Sequence, residues 1–169
     1  MPVRKIGITS RSVPTAFDSL KTGEIHMCES TLETDFCYHL EFDPLVKSYE
    51  AQPIKLFYNN KKGRRTKYVP DFHIIYTKQG ALEYGRNSSI IEIKEKIELE
   101  DNKEDLSLRF KIAEEHCAKN HSQFVVYSED FIRVPRLKTY KFLYRYLAKD
   151  SAPKLRFDIM EIARRLESF

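Results

Sequence analysis

The alternation of apolar and polar residues predicts a small set of strands in this chain. Residues 66–76, TKYVPDFHIIY, have aromatic and apolar side chains at most even positions and Asp71 and His73 on the other face, which predicts one strand. Residues 88–94, SSIIEIK, predict another, with an acid and a lysine on one face. Shorter strands are predicted over residues 45–51, 53–58 and 124–127, and turns at Asn59–Gly63 and Gln79–Gly80.

Helical spacing of apolar residues predicts helices between these strands. Residues 30–33, STLE, form a capping-box pattern that opens the first helix, and Pro44 follows its end. Further helices are predicted over residues 104–119, 136–148 and 154–167. Residues 1–29 have weak periodicity and predict an irregular arm. The order of elements indicates an α/β fold with a mixed central sheet flanked by helices.

Composition narrows the class of protein. The chain has 169 residues, of which 41% are hydrophobic and 32% charged, which is typical of one globular domain and excludes a disordered chain. No apolar stretch is long enough to span a membrane, and the first residues lack the apolar core of a secretory signal. The three Cys residues have no CxxC spacing. We therefore expect a reducing, cytoplasmic location and no zinc site.

The basic residues are clustered although the net charge is only +4. Residues 133–149 contain six basic residues and no acidic one. A second run contains Lys61, Lys62, Arg64, Arg65 and Lys67. Such runs are typical of surfaces that contact nucleic-acid phosphates, and the alternative is an ordinary solvated surface. We expect the second run to contact DNA.

Two acids and a lysine lie where strands are predicted. Asp71 follows Pro70 within an otherwise apolar strand, and Glu92 and Lys94 share a face of a later strand. If these strands pair, Asp71 and Glu92 meet, and a divalent cation converts their repulsion into coordination. A neighbouring lysine can position an attacking water or neutralise phosphate charge, so the pattern predicts metal-assisted phosphodiester hydrolysis. The alternative is a surface Glu92–Lys94 ion pair with an Asp71 that caps a turn.

Further short motifs accompany these residues. They are GEIH at residues 23–26, ESTLE at 29–33, FDP at 42–44, EAQP at 50–53, YVPDF at 68–72 and IIEIK at 90–94. Together they resemble the TnsA branch of the PD-(D/E)xK nuclease superfamily over about residues 22–128. TnsA proteins are endonuclease subunits of heteromeric transposases, and some accompany CRISPR-associated transposons.

The resemblance implies a role for each residue of the site. Glu33 is expected to be a metal ligand, Asp71 the central bridging ligand and Glu92 a further ligand. The carbonyl of Ile93 is expected to complete the metal shell, and Lys94 is expected to be the catalytic lysine. The implied cofactor is Mg²⁺, for which Mn²⁺ would substitute. Gln52 and His73 are expected to support the site from nearby.

The resemblance also implies a setting. The expected function is hydrolysis at the 5′ ends of transposon DNA in the prokaryotic cytoplasm, at the nucleoid when active, with a TnsB-type transposase and a TnsC-type ATPase regulator as partners. Residues 30–134 are then the nuclease core, residues 1–29 an N-terminal arm and residues 135–169 a short C-terminal helical extension. Two alternatives stay open: a non-catalytic DNA-binding adaptor, and a restriction- or resolvase-type nuclease that acts alone.

Overall fold

The computed structural model describes residues 14–147 and 153–167 as eight strands and seven helices. The strands are β1 (Thr15–Asp18), β2 (Ile25–Cys28), β3 (Val46–Ala51), β4 (Leu56–Asn59), β5 (Arg65–Tyr68), β6 (Phe72–Tyr76), β7 (Ser88–Ile93) and β8 (Gln123–Tyr127). The helices are α1 (Thr31–Phe42), α2 (Lys78–Tyr84), α3 (Lys96–Asp101), α4 (Lys103–Lys119), α5 (Glu129–Ile132), α6 (Arg136–Tyr144) and α7 (Pro153–Glu167).

The central sheet is mixed, as expected. Its strand order is β3-β6-β7-β8; the β3–β6 and β6–β7 pairs are antiparallel, and β8 is parallel to β7. Phe72 lies opposite Ile91 in the β6–β7 register. This pairing places the start of β6 beside the end of β7.

Helices cover both faces of the central sheet. On one face, α1 packs through Phe36 and Leu40 against Phe72 and Ile91, which belong to one buried cluster. On the other face, Ala113 of α4 packs with Leu56 and Tyr68 from the β4–β5 hairpin. The predicted mixed sheet flanked by helices is confirmed. None of the helices in the described ranges is long and apolar enough to cross a bilayer.

The prediction of a single strand over residues 66–76 is wrong. The chain forms β5 and β6, which belong to different sheets and are separated by residues 69–71. Pro70 has no N–H to donate to a ladder, so the strand is interrupted there. The interruption lets β5 pair with β4 in a separate hairpin while β6 enters the central sheet.

Three other local predictions need correction. The prediction of an irregular arm over residues 1–29 is wrong for β1 and β2, which form a hairpin because Phe17 and Cys28 belong to the main core. Residues 1–13 lie outside the described part. The turn at Gln79–Gly80 is instead inside α2, whose N-cap is Thr77. The helix predicted over residues 136–148 ends at Tyr144, and Ala148 lies outside the described residues.

Candidate active site

The fold brings Asp71 and Glu92 to the same face at adjoining strand ends. Asp71 immediately precedes β6, and its backbone N–H donates to the carbonyl of Ile91 at 3.0 Å, which extends the β6–β7 ladder by one residue. Because side chains alternate along a strand, Asp71 and Glu92 project from the face opposite to Phe72 and Ile91. The two carboxyl groups therefore lie on the α4 side of the sheet.

Lys94 links the two carboxylates. Its Nζ lies 2.9 Å from Oε1 of Glu92 and 3.7 Å from Oδ2 of Asp71, and it also donates to the carbonyl of Ile93 at 3.0 Å. Burial alone would lower the pKa of Lys94, but the charges of Asp71 and Glu92 outweigh burial and raise this pKa above its usual value. The amine is thus held as an ammonium ion between two acids.

Asp71 is held by the backbone on both sides. Its Oδ2 accepts the Ile93 N–H at 2.6 Å, and its carbonyl accepts the Gln52 N–H at 2.8 Å. Burial and the charge of Glu92 raise the pKa of Asp71 well above its usual value, while Lys94 acts in the opposite direction. A cation that binds beside this carboxyl group would stabilise its ionised form.

Tyr68 is a member of the site that the sequence did not reveal. Its hydroxyl donates to Oε2 of Glu92 at 2.7 Å, so both oxygens of this buried carboxylate have a partner. In a continuous strand over residues 66–76, Tyr68 would lie on the face opposite to Asp71. The interruption at Pro70 removes that constraint, and only the position of Pro70 within the motif hints at it.

Glu33 has the predicted capping role in this structure. Its Oε1 accepts from the Ser30 hydroxyl at 2.8 Å and its Oε2 from the Glu29 N–H at 2.8 Å, while the Ser30 hydroxyl oxygen accepts the Glu33 N–H. Burial raises the pKa of Glu33, and the charge of Lys94 acts on it in the opposite direction. Glu33 is therefore within electrostatic range of the lysine, and its role as a metal ligand stays a prediction.

Gln52 connects the helix cap to the strand that carries Asp71. Besides its backbone bond to Asp71, its side-chain Nε2 donates to Oε1 of Glu29 at 2.7 Å. Gln52 has a φ of 51°, in the left-handed region that a non-glycine residue rarely adopts. The structure thus places Gln52 between two segments of the site, where a strained backbone is compatible with a positioning role.

His73 shares the Asp71 face but belongs to the middle of the sheet. It lies opposite Glu50 in β3 and Ile90 in β7. Burial lowers the pKa of His73, and the charge of Glu50 acts in the opposite direction. These neighbours describe a half-buried sheet residue, and the supporting role predicted for His73 stays a prediction.

The oxygen atoms of the site are of the chemical type that hard divalent cations prefer as ligands. Two carboxylates and the Ile93 carbonyl surround Lys94, and Mg²⁺ prefers one or two carboxylates together with water and phosphate oxygens. Within residues 14–147 and 153–167, no group of three or more His, Cys, Asp or Glu side chains is arranged to hold a metal ion. The three-carboxylate shell that includes Glu33 therefore stays a prediction.

The five predicted DNA-contacting residues lie on the β4–β5 hairpin and are exposed: Lys61, Lys62, Arg64, Arg65 and Lys67. Lys61 pairs with Glu104 at 2.8 Å and Asp105 at 3.4 Å on α4, so part of its charge is directed to the protein itself. The guanidinium of Arg65 lies 5.1 Å from the ring centre of Phe57, which is 59% exposed. Because β5 ends at Tyr68, the same hairpin carries the outer cations and a partner of Glu92.

A mixed sheet covered by helices, with two carboxylates and a lysine at adjoining strand ends, is consistent with the restriction-endonuclease-like fold class. A comparison with family models identifies the family. The model described as "TnsA-like endonuclease N terminal" matches residues 43–129, just over half of the chain, and the chain belongs to this family. It is thus a TnsA-type endonuclease that functions in transposition, in a complex with other subunits. A comparison with curated proteins finds no match.

The matched model describes the N-terminal part of its family. It covers β6, β7 and β8, and it therefore contains Asp71, Glu92 and Lys94. Glu33 and all of α1 lie before its first residue. The division into an arm, a core and a C-terminal extension stays a prediction.

Proposed function

We propose that this protein is a Mg²⁺-dependent endodeoxyribonuclease that hydrolyses a phosphodiester at the 5′ ends of transposon DNA. The observation that supports this proposal best is Lys94, whose ammonium group lies between the carboxylates of Glu92 and Asp71. A cation and two acids at adjoining strand ends suit a reaction in which water attacks a negatively charged phosphate.

The side chains have distinct roles in this proposal. Asp71 and Glu92, with the Ile93 carbonyl and Glu33, would hold the metal ion, which when bound stabilises phosphate charge and makes water more acidic. Lys94 orients the attacking water or neutralises the charge that develops on the phosphate. The raised pKa of Lys94 favours the ammonium form. Lys94 therefore acts as a hydrogen-bond donor and a cation in the arrangement described.

The β4–β5 hairpin is the proposed DNA contact. Lys62, Arg64, Arg65 and Lys67 are exposed, and Tyr68 at the end of the hairpin donates to Glu92. Phosphate contacts by such cations position a duplex without reading its sequence. The exposed ring of Phe57 adds a surface on which a base could stack if the duplex is opened near the cut.

The proposed partners follow from the family. A TnsB-type transposase would cut and join the 3′ ends, and a TnsC-type ATPase regulator would connect cutting to target selection. Association with a CRISPR system and a location at the prokaryotic nucleoid belong to the same proposal.

The test is nicking of transposon-end DNA by the full chain together with its partner transposase, in Mg²⁺ or Mn²⁺. We expect Asp71→Ala and Lys94→Ala to lower the nicking rate at least about 100-fold, as is typical when an electrostatic stabiliser of a transition state is removed. Glu115→Ala and Lys111→Ala, which remove exposed charges from α4, are matched controls and should cut like the wild type.

The outcomes separate the alternatives. Equal cutting by the wild type, Asp71→Ala and Lys94→Ala would overturn the catalytic proposal. Titration of Ca²⁺ or Mn²⁺ by calorimetry then tests for an adaptor, which should release the same heat with and without Asp71→Ala. Efficient cleavage of generic DNA in the absence of any partner would support a nuclease that acts alone.

A further inference from the structure

A cavity of about 320 Å³ lies on the α1 face of the central sheet. Its floor includes Ile74, which belongs to the main core, and six of its fifteen lining residues are Phe or Tyr. Asp71, Glu92 and Lys94 project from the opposite face of the sheet. An occupant of this cavity would therefore not compete with a nucleic acid at the candidate active site.

Arg86 lines this cavity with a buried donor that lacks an acceptor. Its Nε is buried and has no hydrogen-bond partner among the described residues. Its guanidinium carbon lies 5.6 Å from the ring centre of Tyr84, another lining residue. A buried N–H without an acceptor is costly, so an acceptor supplied by a ligand would be bound favourably at this point.

The position of Arg86 is fixed by the backbone. Gly85 ends α2 in the left-handed conformation, with a φ of 66°, and the backbone N–H of Arg86 donates to the carbonyl of Ala81 at 3.1 Å. Ser88 begins β7 two residues later. The backbone of Arg86 is thus held between the end of a helix and the start of a central strand, which limits the backbone entropy that binding would cost.

The charges that line the cavity favour a singly charged anion. Arg86 and Arg136 contribute two positive charges, and Asp43 contributes one negative charge whose Oδ1 accepts the Leu45 N–H at 2.8 Å. A net charge of about +1 suits a carboxylate better than a phosphate dianion. The planar guanidinium group also matches the geometry of a carboxylate.

The aromatic walls favour an apolar group beside that carboxylate. Tyr127 and Phe131 are stacked with ring centres 4.1 Å apart, and Tyr76 and Tyr84 have ring centres 4.8 Å apart. All four rings line the cavity. Such walls are typical of sites that combine apolar contact with a few placed polar groups.

We propose that this cavity binds an acidic peptide segment of a partner protein, with a carboxylate at Arg86 and a neighbouring apolar side chain against the aromatic walls. The proposal fits a family whose members work in complexes with other subunits. It does not depend on catalysis, because the cavity and the candidate active site lie on different faces of the sheet.

The test uses defined probes and the full chain. N-acetyl-phenylalanyl-glutamate amide, the same dipeptide with glutamine in place of glutamate, and inorganic phosphate are titrated separately, and binding is followed by NMR, including the side-chain Nε–H of Arg86. We expect the glutamate dipeptide to bind at least 10-fold more tightly than the glutamine dipeptide and more tightly than phosphate. Tighter binding of phosphate, or no shift with any probe, would overturn the proposal.

Two variants of Arg86 distinguish binding from a structural role. Arg86→Gln should weaken binding of the glutamate dipeptide at least 10-fold. Arg86→Met, which removes the buried donor, should also lose binding while its thermal midpoint stays at or above that of the wild type. Lys78→Gln, on the exposed part of α2, is the matched control and should bind normally. Unchanged binding by both Arg86 variants would contradict the assignment.

Discussion

Replacing Tyr68 by phenylalanine tests how the buried carboxylate of the site is stabilised. Glu92 is 2% exposed, and its Oε2 accepts the Tyr68 hydroxyl at 2.7 Å. Burial and the charge of Glu92 raise the pKa of Tyr68, so the hydroxyl stays protonated and donates at every working pH. Tyr68→Phe keeps the ring in the cluster with Leu56 and Ala113 and removes only the donor.

The expected cost follows from the charge of the acceptor. A hydrogen bond to a charged group contributes about 1.5–3 kcal/mol, and the oxygen left behind is buried, so we expect Tyr68→Phe to lower the free energy of unfolding by about 2 kcal/mol. In a chain of this length that corresponds to a thermal midpoint lower by about 4–8 °C. Urea unfolding followed by circular dichroism measures the first quantity and a thermal scan the second.

The matched control is Tyr58→Phe in the same hairpin. Tyr58 is half-buried and belongs to the same cluster, and its hydroxyl is not hydrogen-bonded to any residue in the described ranges. We expect a change within about 0.5 kcal/mol, as for most substitutions away from a specific interaction. If Tyr68→Phe were no more destabilising than Tyr58→Phe, the argument that Glu92 depends on this donor would be wrong.

Three further outcomes are expected. Asp71→Asn should raise the thermal midpoint at pH 8 in the presence of a chelator, and should raise it much less near pH 4. The pKa of Asp71 is raised in the folded state, so the folded chain binds this proton more tightly than the unfolded chain does. The wild type therefore loses stability as the pH rises from about 4 through the raised pKa. Replacing Arg64, Arg65 and Lys67 together by glutamine should weaken DNA binding similarly for all sequences and reduce the slope of log affinity against log salt by about 3, measured by fluorescence anisotropy. Ser30→Ala should lower the free energy of unfolding by about 1 kcal/mol in urea, because its side chain caps α1; an unchanged midpoint would refute that role.

The parts of the fold that depend on neighbouring residues in the chain could be predicted from sequence. The capping box at Ser30, the strand that carries Glu92 and ends just before Lys94, and the turn before β5 are all present. The adjacency of Asp71 and Glu92 follows from two antiparallel strands and one register. Each of these features is determined by side-chain period or turn chemistry.

The features that were missed depend on contacts between distant parts of the chain. The β1–β2 hairpin is ordered by Phe17, whose ring packs against Tyr38 and Tyr144 at centre distances of 5.1 and 5.3 Å. The sequence predicts a turn at Gly80, but a Cβ at this position would lie 2.5 Å from the carbonyl oxygen of Leu45, so glycine permits a close approach of α2 there. Neither contact leaves a periodic signal in the sequence.

The side chains of the candidate site differ in how many structural elements are needed to bring them together. Glu92 lies in β7, and Lys94 follows the last residue of this strand, where its N–H donates to the Tyr127 carbonyl at 3.1 Å and continues the pairing with β8. The two side chains therefore share a face, and Asp71 joins them once Phe72 pairs with Ile91. Tyr68 requires in addition that the chain leave the sheet at Pro70 and return as a separate hairpin. Two adjacent strands therefore suffice to assemble the reactive groups, whereas the surrounding hairpin, through Tyr68, offsets the cost of burying their charge. Substitutions in the hairpin should accordingly affect stability and DNA affinity before they affect the relative positions of Asp71 and Lys94.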